Sequence, residues 1–382
     1  MTDIAASAEL KTEDLVDGVI DWISIESPSL DAEAVNRMVD HVSDAFEAVG
    51  LETERTPGED GWGDLIRGRA PGSLRANKGI LVVSHIDTVH PIGTKENGNP
   101  IRIEGDHLYG PGTYDMKAGA YIAYYAYKRL REEGGEPKLP VTFMYIPEEE
   151  RGSPYSRKYI AEEARKAKYV LVTEPARDGG KVVVERKGSA RYKMAAEGRP
   201  AHSGSRHEYG RSAIKEIAKQ LLEIESWTDY DRGVTFNAGL IAGGTGVNVI
   251  PQHCNLEVDN RFERLVDGQE FEARILALEA DDPDVKLTVT GSIMRPPMNA
   301  TDAILDLFQK ARAYSREHGL DLQYTSRTGG GSDGNLTAAE GVPTLDGLGA
   351  DGYGAHQLDE HIYISSLEPR ARTWMKLLER LD

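Results

Sequence analysis

The sequence has a single cysteine, no long apolar run and fewer basic than acidic residues. Cys254 is the only cysteine among 382 residues, which excludes an internal disulfide and a zinc cluster built from several thiolates. The apolar runs are far too short to span a bilayer. Residues 1–4 (MTDI) show neither the basic nor the apolar region of a signal peptide, so we expect a cytoplasmic protein.

The shortage of basic residues also limits the partners. Lysine and arginine number 45 against 63 aspartates and glutamates, which gives a formal net charge of −18. Such a surface repels nucleic acid and anionic membranes, so neither is expected as a partner, and an acidic substrate would need a local cationic pocket. The length and a hydrophobic content of 39% predict about two domains with sizeable cores.

The most informative stretch is residues 80–87 (ILVVSHID). Its first four residues are apolar and mostly β-branched, which predicts a buried strand of a parallel sheet. The run then becomes polar, and His85 and Asp87 stand at the two-residue period that places side chains on one face of a strand. An imidazole and a carboxylate are therefore predicted at the carboxyl end of a strand, where open α/β sheets bind ligands.

Two further predicted strands are also followed by carboxylates. Residues 141–146 precede Glu149 and Glu150, and residues 169–172 precede Glu174. Each of these strands therefore delivers carboxylates at its C-terminal end. Helical stretches separate the strands, and this alternation predicts an α/β fold with a mostly parallel sheet.

Beyond about residue 187 the pattern becomes strand, helix, strand, strand, helix, strand, which predicts a small inserted α+β domain of ferredoxin-like order. Its second helix is predicted at about residues 271–280. Before the insert, residues 65–69 and 79–84 are predicted to be neighbouring strands. We therefore predict a catalytic domain in two parts with one insert, at residues 1–187, 188–297 and 298–382.

Asp115 stands just before a helix predicted from about residue 118 to 133, and His356 follows a glycine-rich turn. With His85 and the glutamates they form a set of imidazoles and carboxylates without thiolate, as in catalytic sites for zinc or a similar divalent ion. Each residue alone has a plainer interpretation. A lone histidine is usually just hydrogen-bonded, Asp115 suits a helix cap, and residues 148–150 suit a solvated turn. Neighbouring buried carboxylates repel one another unless a cation is present, which favours a metal site.

Six motifs in order resemble those of peptidase family M20, the co-catalytic zinc aminoacylase and carboxypeptidase superfamily. Within it, the glutamate carboxypeptidases of the carboxypeptidase G2 type are similar over essentially the whole chain. The motifs are residues 84–89 (SHIDTV), 110–119 (GPGTYDMKAG), 149–153 (EERGS), 173–175 (TEP), 198–204 (GRPAHSG) and 352–356 (GYGAH).

The resemblance implies two zinc ions per chain, although cobalt and manganese share these ligands. His85 and Glu174 would bind one ion, Glu150 and His356 the other, and Asp115 would bridge the two. These assignments follow from the matching motif positions.

The resemblance also implies roles around the metals. Glu149 would be the general base, and Asp87 would accept a hydrogen bond from the ring of His85. The peptide bond between Asp115 and Met116 is expected to be cis. No catalytic role is expected for Glu148.

The insert would be a lid and dimerisation domain of a homodimer. In the family, the histidine that matches His202 reaches the active site of the other subunit and stabilises the oxyanion of the tetrahedral intermediate. Without the resemblance, His202 would be interpreted as an ordinary exposed histidine.

The resemblance points less directly to the substrate-binding residues. Asn248 matches a substrate-contacting asparagine, and Arg261 matches an arginine that pairs with a substrate carboxylate. Arg295 is interpreted equally well as a second such arginine or as part of an ion pair at the domain hinge. Ser332 would assist the backbone N–H groups of the loop at residues 329–334.

We therefore expect a di-zinc metallohydrolase that releases a C-terminal amino acid from a small peptide or an N-acyl amino acid. The alternative is a deacylase of the acetylornithine or succinyl-diaminopimelate kind, which shares the metal ligands. A hypothesis of another class is a non-catalytic, metal-stabilised binding protein of the same fold. Such a protein would have no need for Glu149 beside Glu150, or for His202.

Overall fold

The computed structural model describes residues 9–71 and 78–382, so residues 1–4, which carry the signal-peptide expectation, lie outside the described part. The chain divides into two compact units. The first comprises the residues up to Glu185, Ala300–Thr328 and Ser332–Asp382. The second comprises Arg186–Asn299 and Gly329–Gly331. The three-segment division and the lid role of the insert stay predictions.

The first unit is built on a mixed six-stranded sheet, whose strands lie in the order β1 (Glu52–Thr56), β2 (Leu65–Arg69), β6 (Val141–Ile146), β3 (Gly79–His85), β7 (Ala167–Val172) and β12 (Thr344–Leu345). β3 pairs in parallel with both β6 and β7, and β12 pairs in parallel with β7. At one edge of the sheet, β2 pairs antiparallel with β6, and β1 pairs antiparallel with β2. The predicted α/β class with a mainly parallel sheet is therefore confirmed.

The apolar start of β3 is buried on both faces of the sheet. Residues 80–83 are at most 2% exposed. On one face, this part of the sheet packs against Ile160 and Ala164. On the other, Phe143 of β6 contacts the ring of Phe46. A continuous apolar run is what a strand covered on both faces requires.

One predicted neighbour relation is wrong. β2 and β3 are not adjacent, because β6 lies between them, antiparallel to β2 and parallel to β3. Strands that follow one another in the sequence are often, but not always, neighbours in the sheet. Here a helix at Ala118–Glu132 precedes β6, and the chain returns to the sheet beside β3.

The helices of the first unit carry apolar residues at helical spacing on their buried faces. Asp31 caps the second of them by accepting a hydrogen bond from the backbone of Ala34 at 2.9 Å. Across residues 9–71 and 78–382, no helix is both long and apolar enough to cross a membrane. The helices are α1 (Thr12–Ile23), α2 (Ala32–Ala48), α3 (Thr94–Asn97), α4 (Ala118–Glu132), α5 (Arg157–Lys166), α8 (Asp302–Arg316), α9 (Asp333–Ala339) and α10 (Leu367–Arg380).

A second, smaller sheet of the first unit joins two distant parts of the chain. Its strands are ordered β13-β14-β5-β4, and β14 pairs antiparallel with β5. The loop that carries Asp115 follows β5, and His356 lies between β13 and β14. This pairing therefore brings His356 towards the loop that carries Asp115. The strands are β4 (Arg102–Glu104), β5 (His107–Tyr109), β13 (Gly352–Tyr353) and β14 (His361–Tyr363).

The second unit has one antiparallel sheet with the order β11-β8-β10-β9. Buried and exposed residues alternate along β8, because helices cover only one face. The second helix begins at Leu265, before the predicted residue 271. Its first turn holds Asp267, a buried carboxylate paired with Arg232 and Arg264, which an apolar pattern does not reveal. The elements are β8 (Gly188–Glu197), α6 (Ala213–Glu225), β9 (Thr235–Gly243), β10 (His253–Phe262), α7 (Leu265–Leu276) and β11 (Lys286–Arg295).

Candidate active site

His85 is the last residue of β3, and its side chain is buried. Its Nε2 atom lies 3.2 Å from Oδ1 of Asp115 and 3.9 Å from Oε1 of Glu174. Asp115 arrives from the irregular turn Thr113–Lys117 that precedes α4, and its peptide bond to Met116 is cis, as predicted. Glu174 follows the end of β7. Two parallel strands and one loop therefore deliver these three side chains to one place.

The turn after β6 adds two more carboxylates. One potential ligand atom from each of His85, Glu149 and Glu174 lies within 4.8 Å of the others. The same holds for His85, Asp115 and Glu150. The two groups share His85, so all four carboxylates lie around one imidazole.

His356 approaches the same cluster from the C-terminal part of the chain. Its Nε2 atom lies 3.0 Å from Oε2 of Glu150 and 3.5 Å from Oδ2 of Asp115. Its backbone has a φ of 65°, in the left-handed region that residues other than glycine seldom adopt. Asp115 thus faces His85 with one oxygen and His356 with the other, which is the arrangement of a bridging carboxylate.

The charges of this cluster are strongly coupled. Burial opposes ionisation of Asp115, but hydrogen bonds with His356 and His85 outweigh burial and hold its pKa below the ordinary value. Burial and the charge of Asp115 raise the pKa of Glu150. Hydrogen bonds with Asp115 and Glu150 raise the pKa of His356 to about 10. The carboxylates therefore hold protons on the imidazoles, and a divalent cation could take the place of those protons.

One buried oxygen tests whether a metal ion fits. Oε1 of Glu150 is buried and has no hydrogen-bond partner within the described ranges. An unpartnered buried carboxylate oxygen is costly, and a cation would satisfy it. The donor set of two imidazoles and several carboxylates, without thiolate, suits zinc or a similar divalent ion. These residues therefore fit zinc or a similar divalent ion.

Asp87 does more than the sequence predicts. Nδ1 of His85 lies 3.0 Å from the backbone oxygen of Asp87 and 3.4 Å from its Oδ1 atom. The carboxylate also accepts hydrogen bonds from the backbone N–H groups of Glu149 at 3.1 Å and Glu150 at 3.3 Å. The hydroxyl of Ser29 donates a third, at 2.6 Å. Asp87 therefore orients the imidazole and also holds the turn that carries both glutamates.

Glu360 is a buried site residue that the sequence analysis missed. It accepts hydrogen bonds from the backbone N–H groups of Gly112 at 2.8 Å and of Tyr114 and Asp115 at 2.9 Å each. Its Oε2 atom also lies 3.0 Å from Nε2 of His90. Glu360 thereby clamps the loop that presents Asp115. Its only signal in the sequence is its place shortly after the GYGAH motif.

Glu360→Gln is expected to weaken metal binding by about 10–100-fold, the usual effect of losing a residue that orients a ligand. A glutamine has one acceptor oxygen, so its NH₂ group would face backbone N–H donors. Affinity is measured by competition with a chelator of known strength. Glu104→Gln, at an exposed position of β4, is the matched control. Unchanged affinity in Glu360→Gln would show that the loop keeps its shape without this carboxylate.

Glu148 is fully buried, so the interpretation of residues 148–150 as a solvated turn is wrong at this position. Its Oε1 atom accepts hydrogen bonds from the backbone N–H groups of Tyr155 at 3.1 Å and Ser156 at 2.6 Å. Its Oε2 atom accepts one from the hydroxyl of Ser156 at 2.7 Å. Burial raises the pKa of Glu148 from 4.5 to about 7. This residue anchors the segment between the two site glutamates and α5.

Glu148→Gln is expected to stabilise the protein at pH 8 by about 1–3 kcal/mol, and by less at pH 5.5. Because the folded pKa is raised, folding favours the protonated carboxyl. That contribution is present below pH 4.5 and is lost as the pH rises through about 7. A glutamine can accept from both N–H groups and donate to the Ser156 hydroxyl. Urea unfolding at both pH values, in chelator, measures the difference. An equal effect at both would contradict the titration of Glu148.

Two predicted residues of the insert lie in neighbouring stretches of the second unit. His202 forms a β-bridge with Val249, and the N–H of Ser203 donates to the backbone oxygen of Asn248 at 3.0 Å. The side chain of His202 is exposed, and its Nδ1 atom accepts hydrogen bonds from the N–H groups of Gly204 and Ser205. These contacts make Nδ1 the acceptor of the ring and leave Nε2 to donate.

The other predicted substrate-binding residues already have partners. Arg261 donates from Nε and Nη2 to the two oxygens of Asp259, at 2.7 and 2.9 Å, and from Nη1 to the backbone oxygen of Gly329 at 3.2 Å. Arg295 is buried at the end of β11. Ser332 is buried, caps α9 and donates to Asp346. The structure thus explains Ser332 as a capping residue, and its binding role stays a prediction.

Comparison with known proteins gives the family. Residues 81–380 match the sequence profile of peptidase family M20/M25/M40. Carboxypeptidase G2 from a Pseudomonas species is 32% identical over 358 residues, which cover 91% of this chain and 84% of that protein. Succinyl-diaminopimelate desuccinylase from Acinetobacter baylyi is 28% identical over 319 residues, 78% of this chain and 82% of that one.

Solved structures show the same fold. A Staphylococcus aureus tripeptidase aligns with a TM-score of 0.77 at 21% identity, covering 97% of this chain and 98% of that one. An M20 family metallo-carboxypeptidase from Sulfolobus solfataricus aligns with a TM-score of 0.76 at 16% identity, covering 96% and 98%. With the sequence matches over most of its length, the chain belongs to peptidase family M20/M25/M40 and is a hydrolase of the metallopeptidase and amidohydrolase kind.

Proposed function

We propose that this hydrolase uses two divalent ions, zinc by preference, to cleave an amide bond and release an amino acid with a free α-carboxylate. The observation that carries the proposal is the convergence of two imidazoles with buried carboxylates around Asp115, together with Oε1 of Glu150, which has no hydrogen-bond partner among the described residues. His85 and Glu174 would hold one ion, Glu150 and His356 the other, and Asp115 both. Bound there, the ions would supply Lewis acidity, which polarises a carbonyl and makes water more acidic.

Glu149 is the proposed general base. It lies on the same turn as Glu150 and within 4.8 Å of His85 and Glu174, so its carboxylate is close enough to take a proton from attacking water. The hydrogen bond from its backbone to Asp87 fixes the turn. Glu149 would then pass the proton to the nitrogen of the leaving amine, so that the amino acid departs as a neutral amine.

Arg261 is the proposed contact for the substrate carboxylate. Three of the five N–H groups of its guanidinium are occupied by Asp259 and Gly329 within the described residues, which leaves two on the terminal nitrogens. Asp259 holds the plane of the guanidinium in one orientation. Asn248, and Arg295 where it is not part of a hinge ion pair, are the other proposed contacts.

His202 is the proposed oxyanion donor, acting in the other subunit of a homodimer. The support is its exposed side chain, whose Nδ1 atom accepts two backbone hydrogen bonds and so leaves Nε2 as the donor. His202→Ala and Glu149→Gln chains should each be nearly inactive, and their mixture should recover activity. In the mixed dimer, one active site has both groups. No recovery, with subunit exchange demonstrated, would place His202 within its own chain's site or outside catalysis.

The glutamate-carboxypeptidase-like reaction is the leading version, because carboxypeptidase G2 is the more similar of the two relatives described above. The second candidate is deacylation of the desuccinylase kind, which uses the same ligands. The alternative of a non-catalytic binding protein is set aside, because membership of this peptidase family makes the chain a hydrolase.

The test compares rates on dipeptides and N-acyl amino acids with a free α-carboxylate and on their α-amides. Zinc-loaded protein should favour the acids by about 10-fold or more, because the amide cannot form the charged pair with Arg261. Arg261→Ala should remove most of that preference. Equal rates on acid and amide would contradict release of a free C-terminal amino acid as the preferred reaction.

A further inference from the structure

An apolar cavity opens beside the proposed metal ligand Glu150. It has a volume of about 390 Å³, and its walls include Leu30, Val89, Ile92 and two prolines. These three aliphatic side chains are 67%, 42% and 52% exposed. Exposed aliphatic side chains that line one cavity indicate a binding surface, whereas scattered ones do not.

The cavity wall is tied to the site by hydrogen bonds. The loop that carries Leu30 is held against the loop that carries Val89, because the N–H of Ser29 donates to the oxygen of Thr88 at 3.1 Å. The hydroxyl of Ser29 donates to the carboxylate of Asp87, which also holds the turn of Glu149 and Glu150. The cavity therefore keeps a fixed position relative to the proposed base and ligand.

The charges of the cavity select between the two ends of an amide substrate. Its lining contains two carboxylates, Asp31 and Glu150, and one cation, Arg151. With Glu150 holding a metal ion, the opposite charges of Asp31 and Arg151 offset each other, so the lining offers no cationic side chain in excess for the carboxylate of the released amino acid. The acyl side of the scissile amide can be neutral and apolar, which suits the aliphatic walls.

We infer that this cavity is the subsite for an apolar acyl group, so that the enzyme prefers amides with a long aliphatic or aromatic acyl part over acetyl amides. The inference rests on the proposed function, since it assumes amide hydrolysis at the adjoining cluster. It adds a substrate class to the proposed function. A small or anionic acyl group would leave the aliphatic side chains of the cavity exposed to water, whereas a long apolar acyl group would cover them.

The test compares N-hexanoyl-glutamate with N-acetyl-glutamate on zinc-loaded protein. The four extra methylenes should raise kcat/KM by about 10-fold or more if they enter the cavity. Ile92→Ser and Leu30→Ser should lower the hexanoyl-to-acetyl ratio towards 1. The matched control is Ile103→Ser, which is 51% exposed and lies on β4 outside the cavity, and it should keep the wild-type ratio.

A binding measurement separates this inference from the reaction. Calorimetry on zinc-loaded Glu149→Gln protein should show tighter binding of the hexanoyl than of the acetyl compound, and Ile92→Ser in that background should remove the difference. Tighter hexanoyl binding without hydrolysis by the wild type would refute the proposed reaction and support the subsite. Equal binding of the two compounds, binding of neither, or equal losses in Ile92→Ser and Ile103→Ser would overturn the subsite.

Discussion

Removing divalent ions with a chelator is expected to abolish amide hydrolysis, and adding zinc or cobalt is expected to restore it. Around His85, Asp115 and Glu150, in the absence of metal, hydrogen bonds with the carboxylates outweigh burial and raise the pKa values of the His85 and His356 imidazoles, which favours their protonated forms. Protonated imidazoles and carboxylates can neither polarise a carbonyl nor activate water as ions do. Metal analysis should find about two ions per chain, as a bridging carboxylate requires.

The control for chelation is circular dichroism of the same sample, which shows whether the fold survives the loss of metal. Restoration of activity after chelator removal, by added metal alone, would exclude irreversible unfolding. Full activity in protein shown to be free of metal would refute the assignment of the cluster.

Glu149→Gln is expected to lower turnover by about 10²–10⁴-fold, the usual contribution of a positioned acid or base, while keeping the metal content unchanged. The amide keeps the size of the carboxylate but cannot accept the proton of the attacking water. Turnover under substrate saturation and metal content by elemental analysis are measured on the same preparation.

Glu150→Gln is the matched comparison, because it changes the neighbouring residue on the same turn. It should lose or weaken one metal ion, since Glu150 contacts His356 at 3.0 Å and carries an oxygen without a hydrogen-bond partner in the described part of the chain. If instead Glu149→Gln lost metal and Glu150→Gln kept it, the two roles would be exchanged, and the matching of residues 149–153 to the family motif would be wrong by one position.

The strand ends could be predicted because their signal is local. An apolar run that turns polar after Val83 marks the end of a buried strand, and the two-residue period places His85 and Asp87 on the same side. The glutamates after β6 and β7 follow the same rule. Strand and helix periods depend on backbone geometry and burial, so a single sequence carries them.

The tertiary structure decided what depends on contacts between distant residues. Glu360 clamps Asp115 across a separation of 245 residues. The insertion of β6 between β2 and β3 depends on pairing that no local pattern encodes. The hydrogen bond from Arg261 to the backbone oxygen of Gly329 likewise joins residues 68 positions apart.

The sequence by itself therefore determined the family, the α/β class and the residues that can hold a metal, since motif spacing and strand periodicity are properties of short segments. Only the tertiary structure decided which backbone groups hold the site in place, and that an apolar cavity adjoins Glu150. Buried polar groups must find partners wherever the fold places them. Asp87 and Glu360 accept hydrogen bonds from backbone groups 62 and 246 residues away, which no local pattern specifies.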